Sequence, residues 1–133
     1  RFTIAYWCIL IMALLPIVCA GLAKKAGFGK PRRDGGYDNE DPRPWLDKQT
    51  GWAARANAAQ ANTFECLPFF FAAVIIAHEL GALQLRLDLL AVVFVVLRII
   101  YVLMYIAGMA KMRSAVWTLA LIVNITILFL GFK

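Results

Sequence analysis

The sequence predicts an all-α membrane protein built as an up-down bundle of four transmembrane helices. The chain has 133 residues, of which 62% are hydrophobic, and its mean hydropathy is +0.73. Soluble globular chains contain only about 45–50% apolar residues. Four long apolar segments account for the difference, and each approaches or exceeds the roughly 20 residues that a helix needs to cross a bilayer. We expect helices over about residues 2–26, 51–80, 83–108 and 112–132, in a single domain that spans residues 1–133.

The first segment is interpreted as a membrane helix. Its apolar stretch, residues 2–23, is longer than the apolar region of a cleavable signal peptide, and no convincing small-residue cleavage site follows it. The segment contains Pro16. Because proline is tolerated within membrane helices, Pro16 does not divide the segment.

One long polar segment, residues 27–50, joins the first two helices. Its glycines and prolines argue against a continuous helix. It is too rich in Tyr37, Trp45 and Leu46 to be a plain flexible linker, and its aromatic residues suit the headgroup zone of a membrane. Connections of this length in a compact domain are usually functional or disordered. We expect this one to contact lipid headgroups.

The other connections are short, and residues that favour helix ends mark them. Thr50 is predicted to cap the second helix, Gly81 to follow its end, and Gly108 to end the third helix. Ser114 is predicted to cap the fourth helix. Because short links make neighbouring helices antiparallel, an up-down bundle follows.

Basic residues are distributed unevenly between the two ends of this bundle, and the net charge is +6. Most of them lie at the end of the first helix, in the long polar segment or around the link between the third and fourth helices: Lys24, Lys25, Lys30, Arg32, Arg33, Arg43, Lys48, Lys111 and Arg113. Arg1, Arg86 and Lys133 belong to the other end. The positive-inside rule therefore places the long loop in the cytoplasm and both termini outside. Acidic residues are interleaved in the same loop, which argues against nucleic acid as a partner.

Three polar side chains interrupt the apolar pattern of the second segment, in the stretch RANAAQANTFECLPFF, residues 55–70. On a helix, Arg55 and Asn62 point within about 20° of each other, and Glu65 lies about 60° further round. The flanking alanines would allow another helix to approach this face closely. We therefore predict that this polar face is turned towards a neighbouring subunit.

The third segment carries a matching polar face. Arg98, Tyr101 and Tyr105 follow i, i+3, i+7 spacing, which brings them to one side of a helix. At a rise of about 1.5 Å per residue, Glu65 and Arg98 lie roughly 22 and 21 Å from the same end of the bundle. An unpaired charge in hydrocarbon costs roughly 2.5–3.5 kcal/mol or more. We therefore predict a Glu65–Arg98 ion pair, within one subunit or across a subunit interface.

These polar residues have two interpretations. A contact that only fastens the second helix to the third explains Glu65 and Arg98. A pocket for a small charged molecule also explains the polar residues that continue towards one end of the bundle: Arg55, Asn62, Tyr101, Tyr105 and Arg113. The surplus of arginine favours an anionic ligand.

No residue pattern indicates a metal site. The cysteines occupy membrane segments without the spacing of metal ligands, and we interpret them as small apolar core residues: Cys8, Cys19 and Cys66. The one histidine, His78, stands at a helix end and is expected to have a surface or capping role. Asn124 and Thr126 of the fourth segment are interpreted as forming hydrogen bonds between helices.

The order of these polar residues resembles that of the MAPEG superfamily, the membrane-associated proteins of eicosanoid and glutathione metabolism. The second segment has an Arg, then Asn-x-x-Glu, then Pro: Arg55, Asn62, Glu65 and Pro68. The stretch RIIYVLMYIAGMAKMRSAVW has Arg-x-x-Tyr-x-x-x-Tyr and then Arg-Ser: Arg98, Tyr101, Tyr105, Arg113 and Ser114. The loop YDNEDPRPWL is similar to that of a bacterial branch of the family. The resemblance covers nearly the whole chain.

The resemblance implies a homotrimer of four-helix subunits in the bacterial inner membrane, with glutathione bound between subunits near the cytoplasmic side. Carried onto this chain, it implies glutathione contacts from the polar residues of the second and third segments and from one serine: Arg55, Gln60, Asn62, Glu65, Arg98, Tyr101, Tyr105 and Ser114. Membrane lipid is a further expected partner, and membership of a larger membrane complex is left as an open alternative.

The activity that the resemblance implies is that of a glutathione-dependent transferase or peroxidase. Arg113 stands where the family's thiol-activating arginine stands and is the expected catalytic residue. The thiolate is the nucleophile, and a guanidinium beside the sulfur favours the anion. A hydrophobic small-molecule electrophile could arrive through lipid. Glutathione is the expected co-substrate, and no metal is expected.

One position departs from the family pattern. Glutathione-binding members often carry a second arginine three residues after the first, and this chain has Ala58 there. A glutathione carboxylate would then lack a partner. Because a fold does not determine a function, the alternative is a non-catalytic, MAPEG-like lipid-binding or structural membrane subunit.

Overall fold

Helices dominate the computed structural model, which describes residues 1–132. Within that range it contains five α-helices: α1 (Ile4–Lys25), α2 (Pro42–Asp47), α3 (Gly51–Glu79), α4 (Gln84–Ala107) and α5 (Ala110–Leu128). A short 3-10 helix covers Arg32–Asp34, and no strand occurs among the described residues. The all-α fold predicted from the sequence is confirmed. Lys133, which the topology prediction places outside, lies beyond the described residues.

The four long helices form a bundle. Both α1 and α5 pack along α3 and α4. Short links at residues 80–83 and 108–109 reverse the chain between α3, α4 and α5. The long helices have 22, 29, 24 and 19 residues, and each is long and apolar enough to cross a membrane. This arrangement agrees with the predicted four-helix membrane bundle.

Aromatic and small side chains together hold α3 against α4. Phe70 and Phe94 stack with ring centroids 4.4 Å apart and an interplanar angle of 9°. Ala73 and Ala91 are fully buried beside them, and small residues let two helix backbones approach closely. Large apolar side chains cover the outward faces of the bundle. A contiguous apolar surface of this kind suits hydrocarbon rather than water.

Glycine ends two of the long helices, as the sequence predicts. Gly81 and Gly108 both have φ of +79°. At the second of these ends, the Gly108 N–H donates to the Tyr105 carbonyl at 3.1 Å, and the Met109 N–H donates to the Met104 carbonyl at 2.9 Å. These bonds satisfy carbonyls that a helix end leaves without intrahelical donors.

Replacing Gly108 by alanine is expected to lower the free energy of unfolding by about 1–2 kcal/mol, because a left-handed backbone brings Cβ close to the following carbonyl. Packing adds little to the cost, because the nearest atom to a new Cβ is Arg55 Nε at 3.6 Å. Thermal melting in mild detergent measures the change. Gly21→Ala is the control, since this glycine lies inside α1 with open space around it. That variant should gain about 0.5–1 kcal/mol, and equal losses in both variants would contradict the expectation.

The fourth membrane helix starts earlier than the sequence predicts, so the prediction of a Ser114 cap is wrong. Met109 occupies the N-cap position of α5, and the Arg113 N–H donates to the Met109 carbonyl at 2.9 Å. The reason is that Gly108 closes α4 in a left-handed conformation and leaves Met109 as the one residue between Gly108 and α5. Ser114 lies inside α5, where its carbonyl accepts from the Thr118 hydroxyl at 3.0 Å. Arg113 therefore belongs to the first turn of α5.

Thr50 occupies the predicted N-cap position of α3, but its side chain makes no capping hydrogen bond. The C-terminal end of the fourth membrane helix also differs from the prediction, because α5 ends at Leu128 rather than near residue 132. The four predicted membrane helices are therefore present, while the residues at which they begin and end differ in detail.

The long polar segment folds back onto the bundle. Trp45 and Leu46 of α2 are buried in a small cluster with Ala23 of α1 and Ala56 of α3. The Trp45 indole N–H donates to the Gly35 carbonyl at 3.2 Å. The expectation that Trp45 lies among lipid headgroups is therefore wrong, because its side chain, with that of Leu46, fills the space between α1 and α3.

Candidate functional site

A polar cleft opens where α3, α4 and α5 meet, near the link between α4 and α5. Its volume is about 460 Å³. Its lining combines predicted site residues with two neighbours on α5: Asn62, Tyr101, Tyr105, Arg113, Ser114, Trp117 and Thr118. The structure therefore brings together five of the residues that the sequence singles out.

Two tyrosines of α4 and one arginine of α5 form the inner edge of the cleft. Tyr101 and Tyr105 are one helical turn apart, and their rings meet edge to face at 5.7 Å and 83°. Tyr101 is 4% exposed, whereas Tyr105 is half-buried. The guanidinium carbon of Arg113 lies 4.2 Å from the Tyr105 ring centroid. This cation–π contact holds the arginine against the cleft wall.

Arg98 supports the cleft from inside the bundle. It is 2% exposed and is the largest by volume of the fully buried side chains in the described residues. Its Nη2 donates to Asn62 Oδ1 at 2.8 Å and to Thr63 Oγ1 at 3.3 Å, and its guanidinium carbon lies 4.2 Å from the Tyr101 ring centroid. Because the amide oxygen of Asn62 faces Arg98, the amide nitrogen, a donor, is left for other partners.

The predicted Glu65–Arg98 ion pair is not formed within the subunit. The ion pairs among residues 1–132 are those of Arg32 in the loop. Glu65 is exposed and lines a separate cavity. The reason is its angular position on α3: Asn62 and Thr63 face α4 and accept from Nη2 of Arg98, while Glu65 points further round. An ion pair between Glu65 of one subunit and Arg98 of another stays a prediction.

Two other predicted glutathione contacts lie outside the cleft. The Nε of Arg55 donates to the Ile106 carbonyl at 2.9 Å, so this side chain joins α3 to the end of α4. Gln60 lines a different groove of about 520 Å³, together with Ala58 and Arg43. Among the described residues, the buried Oε1 of Gln60 has no hydrogen-bond partner.

The model of the MAPEG family matches this chain over residues 4–133. The chain belongs to the MAPEG family. No curated protein and no solved structure matched the chain in the corresponding comparisons. Family membership and four helices of spanning length make this an integral membrane protein with a glutathione-related function at the level of the family.

The outer surface of this MAPEG protein agrees with a position in lipid. Large apolar side chains on all four long helices are exposed in the subunit, among them Trp7, Ile75, Leu85 and Ile122. MAPEG proteins are generally oligomeric.

The cleft of this MAPEG protein is rich in hydrogen-bond donors. Two tyrosine hydroxyls, the Ser114 hydroxyl, the Asn62 amide and the Arg113 guanidinium can all donate, whereas the Thr118 hydroxyl already donates to the Ser114 carbonyl. The first turn of α5 adds the partial positive charge of a helix N-terminus. An arrangement of this kind stabilises an anion, including a carboxylate or a thiolate.

Sequence reasoning missed two residues of the cleft, Trp117 and Thr118. They lie four residues after Arg113 and Ser114, which puts them on the same face of a helix. That spacing was available as a signal. The predicted fourth helix, about residues 112–132, already includes all four residues, but the spacing was not used.

Two polar residues of α5 do not behave as the sequence predicts. Thr126 Oγ1 donates to the Ile122 carbonyl of its own helix at 2.8 Å, so its predicted bond between helices is wrong. Asn124 is 2% exposed, and its Oδ1 finds no partner within residues 1–132. The same part of the chain holds no group of three or more His, Cys, Asp or Glu side chains placed to bind a metal ion.

Proposed function

We propose that this MAPEG protein is a membrane-bound glutathione-dependent transferase or peroxidase acting on a hydrophobic electrophile. The observation that carries the proposal is the position of Arg113, which packs 4.2 Å from Tyr105 and lines a donor-rich cleft. An arginine that only marked the membrane boundary would extend towards headgroups instead.

Glutathione suits this cleft in size and charge. The cleft volume of about 460 Å³ lies within the roughly 300–1,000 Å³ of small-molecule sites. Glutathione has two carboxylates, which the donors of Asn62, Tyr101 and Ser114 can bind. Its free amine is a partner for a carboxylate, and Glu65 is the nearest acidic residue on α3. Tyr105 and Arg113 are then left for the sulfur.

In the proposed mechanism, Arg113 and the N-terminus of α5 favour the thiolate of bound glutathione over the thiol. The thiolate attacks an electrophilic carbon of the hydrophobic substrate, a carbon–sulfur bond forms, and the leaving group departs with the bonding electrons. The proton lost from the thiol and the leaving group are both released into water.

We further infer that the site is completed by another subunit of a homotrimer, with the long loop on the cytoplasmic side. Gln60 and Glu65 lie outside the cleft of their own subunit. The buried, unpartnered Oε1 of Gln60 faces a groove of about 520 Å³. A neighbouring subunit that brings this groove against the cleft would add Gln60 to the glutathione site. Arg43 also lines the groove and could replace the guanidinium that is missing at Ala58.

The alternative function is a non-catalytic lipid-binding or structural subunit. The observation that favours it is Ala58, which leaves the helix face of that groove without a cation. The two functions differ in whether glutathione binds at millimolar concentration to the protein in a lipid bilayer.

Replacing Asn62 by leucine is expected to weaken glutathione binding about ten- to hundredfold, because a hydrogen bond to a charged group contributes about 1.5–3 kcal/mol. Isothermal titration of the nanodisc-reconstituted protein with glutathione measures the change. Asn39→Leu, in the exposed loop, is the control and should bind as the parent does. Light scattering checks that each variant keeps its oligomeric state. Parent protein that shows no saturable binding would reject the proposal, and the non-catalytic alternative would replace it.

A further inference from the structure

The loop of residues 27–37 forms a compact unit directly after α1. The Tyr37 N–H donates to the Gly27 carbonyl at 3.1 Å, so the two ends of the loop meet. The short 3-10 helix Arg32–Asp34 lies between these ends. The loop is therefore closed on itself and does not act as an open linker.

Two glycines fix the shape of the 27–37 loop. A Cβ on Gly36 would collide with the backbone carbonyl of Lys30, and a Cβ on Gly27 would collide with the ring of Trp45. A side chain at either position would push the backbone out of its present path. The loop therefore presents its own side chains in one arrangement.

The 27–37 loop lies at the depth of the lipid headgroups. Gly27 follows Lys25, the last residue of α1, by two positions, which limits their separation to about 7 Å. The headgroup region on each side of the hydrocarbon core is about 5–8 Å thick. Phe28 is 60% exposed and meets the Tyr37 ring edge to face at 6.3 Å. An exposed aromatic residue among basic ones is typical of a segment that lies in the membrane interface.

Positive charge is concentrated in and beside this loop. Residues 24–37 contain five basic side chains and one acidic one, Asp34, so this stretch carries +4. The next residues, 38–41, contain three acidic side chains. Two of these, Asp38 and Glu40, lie 3.4 and 2.9 Å from Arg32. Arg32 thus holds the acidic stretch and is not available to another anion.

Three exposed cations are left for a partner outside the subunit: Lys25, Lys30 and Arg33. None of them takes part in an ion pair within the described part of the chain. Asp34 is exposed beside them, but its one negative charge is outnumbered. Lysine and arginine near a membrane surface attract anionic lipids, and a guanidinium binds a phosphate through two N–H groups.

We propose that the 27–37 loop, together with Lys25, binds the phosphate group of an anionic phospholipid, with Phe28 among the upper acyl chains. The positive-inside rule explains why basic residues lie at this end of the bundle. It requires neither a loop of fixed shape nor the separation of Lys25, Lys30 and Arg33 from the acidic residues. Lipid binding at this loop does not depend on the proposed function.

Native mass spectrometry of the detergent-solubilised oligomer tests the binding. Phosphatidylglycerol and phosphatidylcholine with the same acyl chains are the two probes, added separately. We expect phosphatidylglycerol to bind about 10- to 100-fold more tightly, because each basic residue near the headgroup contributes about fivefold. Glycerol 3-phosphate at millimolar concentration should not displace it, because this soluble phosphate has no acyl chains to contact Phe28.

Two double variants with equal loss of charge test the location. Lys30→Gln with Arg33→Gln should lower the preference for phosphatidylglycerol to less than about fivefold. Lys48→Gln with Lys111→Gln removes two exposed charges from the same end of the bundle but outside the loop, and this variant should bind as the parent does.

A third variant tests the shape of the loop without changing any charge. Gly36→Ala should lose most of the preference, whereas Gly21→Ala, with open space around it, should keep it. If Gly36→Ala fails to fold, the two double variants decide the matter.

Four results would overturn the proposal. The first is equal binding of the two lipids by the parent, as expected if these cations only orient the chain or dock an acidic protein. The second is an equal loss in both double variants, and the third is an unchanged preference in Gly36→Ala. The fourth is displacement by glycerol 3-phosphate, which would make this a site for a soluble phosphate.

Discussion

Arg113→Ala is expected to lower the turnover number for conjugation of glutathione to 1-chloro-2,4-dinitrobenzene by about 10- to 1,000-fold, while the KM for glutathione changes much less. An adjacent positive charge lowers the pKa of an acidic group by about 1–3 units, and each unit is a tenfold change in the thiolate fraction at a pH below that pKa. Arg113 is the cation of the cleft wall, and its contact with Tyr105 fixes its position. Steady-state kinetics of the reconstituted protein give both constants.

Two variants control this result. Lys111→Ala removes an exposed positive charge from the same turn of α5 and should leave both constants near those of the parent. Arg113→Lys keeps a cation without the planar group that packs on Tyr105 and should retain part of the activity. Equal losses in Lys111→Ala and Arg113→Ala would mean that only the general charge of this membrane boundary matters. An Arg113→Ala enzyme with parental turnover would remove this arginine from the mechanism.

Arg98→Ala is expected to lower the free energy of unfolding by about 2–4 kcal/mol. Truncating a large buried side chain leaves a cavity and typically costs about 2–5 kcal/mol. Arg98 also donates to Asn62 and Thr63 and packs on Tyr101, and all three contacts disappear. Some of this cost is offset, because the variant no longer buries a charge. Thermal melting in mild detergent measures the change.

Three controls separate the causes of that loss. Arg98→Met restores most of the volume without the charge and should cost less than alanine. Arg86→Ala, exposed on the same helix, should stay within about 0.5 kcal/mol of the parent. Glu65→Gln should also melt close to the parent if Asn62 and Thr63 are the partners of Arg98. A loss in Glu65→Gln equal to that in Arg98→Ala would instead favour a Glu65–Arg98 pair across a subunit interface.

The sequence determines the helices of this protein well because long apolar runs and glycine ends are local signals. Gly81 and Gly108 fall where the chain must leave a helix, and both adopt a left-handed conformation. The start of α5 was harder to predict, because a single residue, Met109, separates it from Gly108. A serine that looks like a cap therefore lies inside the helix.

The site is only partly predictable from the sequence, because its geometry depends on how the side chains are oriented towards one another between helices. Depth alone pairs Glu65 with Arg98. The angular position of Asn62 and Thr63 on α3 instead gives Arg98 two neutral partners. The spacing of Tyr101, Tyr105 and Arg113 predicted the cleft, whereas Trp117, four residues after Arg113, was missed because an apolar side chain in a membrane helix gives no signal of its own. Contacts between subunits follow from neither the spacing nor the depth of residues within one chain.

The ultraviolet difference spectrum of the reconstituted parent protein at neutral pH, followed as glutathione is added, tests the central claim most directly. We expect thiolate absorbance that rises with glutathione, saturates, and exceeds that of the same concentration of free glutathione at that pH. Binding of glutathione by titration calorimetry without any such absorbance would contradict the claim, because the cleft would then hold the thiol without activating it.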